Sequence, residues 1–250
     1  MREWLYGRNP VYEALRSGRR QFFRLKIAAG VKEKERIHDI LLLCRQKQVP
    51  IESTPRTHLD ATLPNNQGVA LEASGYSYST LQDIMISAGC LKEAPLVLIL
   101  DALQDPQNLG TLLRTAEAVG VHGVLLPLRQ TTLVTPAVVS SSSGACEHLL
   151  IAQENLAQAI TWLKNKGVWV IGLVDSPEAQ PPEQIKLDAP LALVVGSEGR
   201  GMRRLVRESC DLLMCLPTRG QVESLNAAVA GSIGLYLAYR SRTIDVSLNS

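Results

Sequence analysis

The sequence predicts an α/β protein made of two alternating units joined by a short linker. Three observations carry this prediction. At 250 residues the chain is long for one ordinary domain and sufficient for two. Continuously apolar runs, LVLILD (96–101) and LALVVG (191–196), are the strands of a parallel sheet buried on both faces. Helical and strand periodicities then alternate through both halves, the pattern of a mostly parallel sheet with helices on its two faces.

In the first unit Asn9-Pro10 is expected to open a helix, with Asn as N-cap and Pro at the first helical position, and Gly18 to end it. FFRLKIAAG (22–30) reads as a strand, KERIHDILLLCRQKQ (34–48) as an amphipathic helix, and VPIES (49–53) and QGVALEA (67–73) as two further strands. These place an N-terminal unit at 1–74. Residues 75–94 read as a linker, helical in part over Leu81–Ala88. The second unit, 95–250, continues with a helix at 109–119, a strand at 121–127, a helix at 154–167 and a strand at 168–174. After the apolar run at 191–196 come a helix near 202–209, a strand at 212–217 and a final helix at 223–240. In such sheets ligands bind beyond the C-terminal strand ends, which directs attention to the loops after Asp101, Gly196 and Leu216.

Composition narrows the class. The longest nearly apolar helical stretch, Leu225 to Tyr239, is shorter than the ~20 residues that span a bilayer, and MREWLYGRNP lacks the apolar core of a signal peptide. A soluble, cytoplasmic protein with no membrane partner is expected. Five scattered cysteines and four histidines form no ligand spacing, so no metal is assigned and the thiols are read as small buried hydrophobes. Net charge is +2, but residues 1–36 carry ten Lys/Arg against four Glu. That concentration hints at an acidic partner, nucleic acid being the commonest. Aromatic content of 4% argues against a base-stacking sheet platform.

The three loops differ in chemistry. In DPQNLGTLLRTAEAVG (105–120), Asn108 is placed to cap the helix, and Arg114 is the only charge between Pro106 and Ala116. Macrodipole preference puts acids at such a helix start, so the arginine suggests contact with a phosphate or a catalytic role, with packing or a salt bridge as the alternative. LVVGSEGRGM (193–202) has the shape of a phosphate cradle, yet Glu198 in its middle would repel a phosphate. Its glycines, Gly196, Gly199 and Gly201, do not have dinucleotide-fingerprint spacing. Arg200, Arg203, Arg204 and Arg207 follow at i, i+3, i+4, i+7, which predicts four guanidinium groups along one side of a helix, suited to a polyanion. In LPTRGQVESLNAAVAGSIGLYLA (216–238), Glu223, Ser224, Leu225 and Asn226 enter a helix rich in small residues, expected to pack closely within the domain or against a second subunit.

Together NLGTLLRTA (108–116), LVVGSEGRGM (193–202) and LPTRGQVESLNAAVA (216–230) resemble, in order and spacing, the three signature motifs of the SpoU/TrmH family of RNA 2′-O-methyltransferases. YGRNPVYEAL (6–15) and NQGVALEA (66–73) resemble the family's appended RNA-binding domain, so the likeness covers nearly the whole chain. It is greatest to the RlmB branch, which methylates a guanosine of 23S rRNA. Two positions depart: Asn66 stands where the family often has histidine, and VVSSSSGACEH (138–148) lacks a frequent lysine.

The resemblance implies a C-terminal α/β trefoil-knot (SPOUT) methyltransferase domain with a small N-terminal α/β RNA-binding domain resembling ribosomal proteins. It also implies a homodimer whose active site lies at the subunit interface. The implied cofactor is S-adenosylmethionine, contacted by Gly196, Leu216 and Leu225, and the implied partner is 23S rRNA or a precursor of the large subunit. Asn108, Arg114, Glu198, Ser224 and Asn226 are the implied catalytic set. Beside a cationic sulfonium a carboxylate in the glycine turn is no penalty, and Glu198 is expected to favour the cofactor, to orient Asn108 or Arg114, or to bind substrate. Arg114 is a poor free base, since guanidinium keeps its proton far above neutral pH, and is expected to act with a substrate phosphate or with Glu198, or to orient and polarise the hydroxyl. The same chemistry on tRNA and a non-catalytic ribosome-assembly role are the other readings. A nicotinamide oxidoreductase fails on glycine spacing.

Overall fold

The computed structural model describes residues 2–221 and 224–248. In chain order the elements are β1 (Arg2–Tyr6), α1 (Arg8–Ser17), β2 (Phe22–Ala28), α2 (Arg36–Gln46), β3 (Ile51–Thr54), α3 (Arg56–Thr62), β4 (Val69–Ser74), α4 (Leu81–Leu91) and β5 (Leu96–Leu100). They continue with α5 (Pro106–Ala118), β6 (Gly123–Pro127), α6 (Pro136–Ser141), β7 (Ile151–Glu154), α7 (Leu156–Asn165), β8 (Trp169–Leu173), β9 (Leu191–Val195), α8 (Arg204–Ser209), β10 (Leu212–Met214) and α9 (Ala227–Leu248). The chain forms two compact units: Met1–Ser77 with Leu133–His148, and Tyr78–Thr132 with Leu149–Ser250.

The first unit is a four-stranded mixed sheet in the order β1-β4-β2-β3, with β4 antiparallel to both neighbours and β2 parallel to β3. Leu5, Leu71 and Leu25 lie side by side across it and are fully buried, as are Val11, Leu15, Ile37 and Ile40 from α1 and α2. The helix α1 starts two residues earlier than the sequence suggests. Gly7, not Asn9, occupies its N-cap, because the Arg8 N–H is taken by Gln67 Oε1 at 3.0 Å. Within residues 2–77 two elements escaped the pattern: β1, whose five residues include Arg2 and Glu3, and α3, which buries only Leu59.

Residues 133–148 carry α6 and a 3-10 turn at Ala145–His148, and they fold onto this first unit. The tie is ionic and sealed. Arg20 donates through Nε and Nη2 to Glu147 at 2.7–3.0 Å, through Nη1 to the Ser74 carbonyl at 2.9 Å, and also pairs with Glu3. The side chains of Arg20 and Glu147 are 1% and 0% exposed.

The second unit is a six-stranded, wholly parallel sheet in the order β10-β8-β9-β5-β6-β7. The apolar runs at 96–100 and 191–195 are adjacent central strands, buried throughout, as their continuous hydrophobicity demands. The helix α4 is stronger than a linker turn: a reciprocal capping box between Thr80 and Asp83 starts it, and Leu81 and Ile84 enter the core of the second unit. The short strand β7 was not anticipated. No helix among the described residues is long and apolar enough to cross a membrane.

Candidate functional site

At the C-terminal ends of β10, β8 and β9, three neighbouring strands, lies a cleft of about 600 Å³. Its apolar walls include Leu173, Val174, Val195, Met202 and Leu216, and its polar groups include Glu198, Ser224 and Asn226. A volume of this size suits a nucleoside-sized ligand. All three residues expected to touch a cofactor, Gly196, Leu216 and Leu225, line this one space.

The glycine loop forms the wall by folding back on itself. Ser197 and Gly201 exchange N–H···O bonds of 3.0 and 2.9 Å, with Gly199 and Gly201 at φ of +74° and +65°. A Cβ on Gly196 would lie 2.3 Å from the Gly201 carbonyl carbon and 2.4 Å from the Met202 nitrogen, so only glycine closes the base of this turn. The exit is held by Asp101, a fully buried carboxylate just after β5. It accepts the Arg203 backbone N–H and Nε–H, each at 2.7 Å, and pairs with Nη2 at 2.7 Å.

This corrects the expected row of four arginines on one helix. Because Asp101 holds Arg203 in extended backbone at the N-cap, α8 begins only at Arg204. Arg200 lies in the turn, Arg204 faces Glu208 at 3.6 Å, and Arg207 bonds Ser176 and Glu178. Asp101, and its pairing with Arg203, is what sequence reasoning missed at this site. The position of Asp101 at a strand end was a signal, but its partner lies 102 residues away.

Asn226 gathers the polar groups. Its Oδ1 accepts the N–H groups of Ala228 at 2.9 Å and Val229 at 3.1 Å, capping α9. Its Nδ2 donates to Asn108 Oδ1 at 3.2 Å and to Glu198 Oε1. Three residues drawn from three separate motifs therefore meet at one amide. Asn108 is not the cap of α5 as expected. Asp105 takes that place, accepting from the Gln107 N–H at 2.9 Å, because Pro106 follows it at N1. Asn108 instead sits in the first turn, facing Asn226. Arg114 lies further along α5, exposed, and is not among the residues lining the cleft. Ser224 does line it; Val222 and Glu223 of the same motif lie outside the described residues.

The helix α9 comes close to the sheet and to α5 because its interior face is small. A Cβ on Gly231 would meet Leu112 at 2.6 Å and Val195 at 2.9 Å, and Ser232 Oγ lies 2.9 Å from Thr115 Oγ1. The small residues thus pack within the unit. The other face of α9 exposes Val229, Ile233, Tyr236 and Tyr239, and Leu225, just before the helix, is exposed too, each between 39% and 57%.

Comparison with known proteins agrees with this geometry. Residues 95–236 match the model of the SpoU rRNA Methylase family, and residues 4–79 match that of the RNA 2′-O ribose methyltransferase substrate-binding domain. A protein of Bacillus subtilis (strain 168), carried under the provisional name TrmH family tRNA/rRNA methyltransferase YacO, is 39% identical over 242 residues, covering 96% of each chain. Among solved structures, the SpoU methyltransferase AviRb from Streptomyces viridochromogenes, in complex with AdoMet, superposes with a TM-score of 0.81 over 97% of this chain and 91% of its own, at 22% identity. An AdoMet-bound rRNA methyltransferase from Sinorhizobium meliloti gives 0.78 over 96% and 87%, at 24% identity. With its polar residues converging on one strand-end cleft and with matches to both parts of the chain, this protein belongs to the SpoU/TrmH family of RNA methyltransferases.

Proposed function

We propose that the protein methylates the ribose 2′-hydroxyl of a guanosine in 23S rRNA, using S-adenosylmethionine, with residues 95–250 carrying the transfer and residues 1–74, joined by 75–94, binding RNA. The observation that carries this reading is the convergence of Asn108, Glu198 and Asn226 beside a cleft lined by Gly196, Leu216 and Leu225. The donor set suits the cofactor. Apolar walls accept a purine, and a carboxylate at the rim tolerates a cation where a phosphate cradle would not. The trefoil-knotted path of the family belongs to the same proposal.

When bound, S-adenosylmethionine supplies an activated methyl group, so the protein's part is chiefly positioning. Both Nδ2 protons of Asn226 are committed, to Asn108 and to Glu198, and its Oδ1 is committed to the α9 backbone. Its amide orientation is thereby set, and Asn108 Nδ2 and Glu198 Oε2 remain outside the bonds to it. These two orient the ribose hydroxyl, with Ser224 as a neutral partner. Arg114, on the exposed face of α5, holds the adjoining phosphate rather than taking the proton.

A second copy of the chain covers the apolar face of α9. Val229, Ile233, Tyr236 and Tyr239 recur at helical spacing on α9, and Leu225, exposed just before the helix, also lines the cleft, which joins dimerisation to the site. Sedimentation should give a dimer that Ile233→Asp dissociates.

The test is methyl transfer from labelled S-adenosylmethionine to unmodified 23S rRNA and, separately, to tRNA, followed by alkaline digestion. Label in an alkali-resistant dinucleotide from 23S rRNA is the expected result. Label in tRNA alone keeps the chemistry and overturns the rRNA substrate, a second reading that the tRNA/rRNA naming of the Bacillus subtilis relative includes. Cofactor binding without label in either points to a precursor particle, and absence of binding overturns the enzyme reading.

A further inference from the structure

We propose that the buried Asp101–Arg203 pair is the positioning device of the site: it fixes the 197–202 turn and, through it, the Glu198 carboxylate against Asn226 and Asn108. The inference rests on the methyl-transfer reading above and deepens it. Asp101 continues the central ladder, its N–H donating to Val195 O at 2.8 Å, so its backbone is as fixed as the β5–β9 pairing. Its carboxylate is fully buried, and Arg203 satisfies both oxygens, through one backbone and two guanidinium nitrogens. The arginine side chain itself is 42% exposed. The charge is therefore matched on its buried side while the guanidinium reaches outward.

The consequence is a short closed circuit. The turn leaves the sheet at Val195, paired with Leu100, and returns at Arg203, bound to Asp101. Both ends of the turn are thus anchored on consecutive residues of one strand end, and Glu198 lies between them. The same strand end leads through Asp105 into α5, which carries Asn108. Asp101 is therefore the common reference for Glu198 on one side and for Asn108 on the other. The Asn226 amide closes the circuit by bonding both. A buried ion pair contributes little net stability compared with apolar packing of the same volume, whereas its geometry is strict. A pair at this place acts on placement more than on folding.

The test is a double-mutant cycle on the full chain. Affinity for S-adenosylmethionine is measured by calorimetry, and kcat by transfer to whichever RNA the wild type methylates. Asp101→Asn should weaken cofactor binding about tenfold, because the amide presents N–H groups to the guanidinium, and should lower kcat by a similar factor. In the Glu198→Gln background the same change should lower kcat by less than about twofold, because the group it positions has already been altered. Arg203→Lys keeps the backbone N–H and the charge and should recover part of the affinity lost in Arg203→Ala. It also serves in the cycle if Asp101→Asn does not fold. Ile160→Val, in the core of the second unit, is the control for lost stability alone and should leave affinity unchanged.

Unaltered cofactor affinity in Asp101→Asn, kcat losses that multiply across the cycle, or an equal affinity loss in Ile160→Val would each overturn the inference. A wild type that binds no cofactor would remove the methyl-transfer reading and this inference together. Normal wild-type binding with unresponsive variants would remove only the inference.

Discussion

Two polar clusters, one in each unit, are built from similar groups and end in opposite states. In the first unit Arg20 draws Glu147, Glu3 and the Ser74 carbonyl into a sealed centre. In the second, Asn226 draws Asn108 and Glu198 together at the rim of a cleft, where all three keep contact with solvent. Both join residues more than a hundred positions apart. The difference lies in spare capacity. Glu147 is buried and both its oxygens are taken by one guanidinium, whereas Glu198 and Asn108 each have an atom beyond their bonds to Asn226. A closed cluster holds a segment in place; an open one can receive a ligand.

The contrast can be broken most severely at Arg20. Arg20→Ala strands Glu147 without its charge partner and should cost about 3–5 kcal/mol of stability. Calorimetric affinity for S-adenosylmethionine should not change in the fraction that stays folded; a loss of affinity would show that the sealed cluster also serves the site. Asn226→Ala is the converse case. It should lower methyl transfer about a hundredfold, as expected for a group that orients reacting atoms, while costing only about 1 kcal/mol for the lost helix cap. Rate and melting temperature measured on one preparation would separate the two effects. Arg114→Ala, on the exposed face of α5, should change stability by less than about 0.5 kcal/mol yet weaken RNA turnover at least tenfold. Asn108→Ala should behave similarly, staying folded with transfer lost, and wild-type rates in both would remove their assigned roles.

The smallest effect concerns a buried group that belongs to neither cluster. Burial holds the His122 pKa below its ordinary value, and its Nδ1 accepts the Leu96 N–H at 3.0 Å, which requires the neutral ring. The unfolded chain takes up a proton near the ordinary value of about 6.5, while folded His122 still refuses it. Its contribution is therefore complete above that pH and declines as the pH falls through and below it. Thermal unfolding of His122→Asn between pH 7 and 5 should show a flatter dependence than wild type.

Much of the second unit was legible because its strands announce themselves. LVLIL and LALVV are buried on both faces, and a continuous apolar run of that length has few other places to go. The cleft residues Gly196, Leu216 and Leu225 and the polar set Glu198, Ser224 and Asn226 were legible through motif order and through the anomaly of a carboxylate in a glycine turn. Short elements with little apolar content, β1 and α3, were not, since each is stabilised by neighbours rather than by its own pattern. The serine-rich stretch at 133–148 gave no sign that it folds with the first unit, because the partners that hold it, Arg20 and Glu13, lie in the first twenty residues.

By itself, then, the sequence determined the alternation of strands and helices, the glycine turn and the chemical kinds of residue at the strand ends, all of which are local in the chain. Tertiary structure alone decided that Asn108, Glu198 and Asn226 share one amide, that Arg203 leaves the arginine row to satisfy Asp101, and that Glu147 is sealed by Arg20. The reason is physical. Periodicity records which face of an element is buried, whereas a buried or half-buried polar group takes whichever partner the folded backbone brings within about 3 Å, and that partner leaves no trace in local spacing.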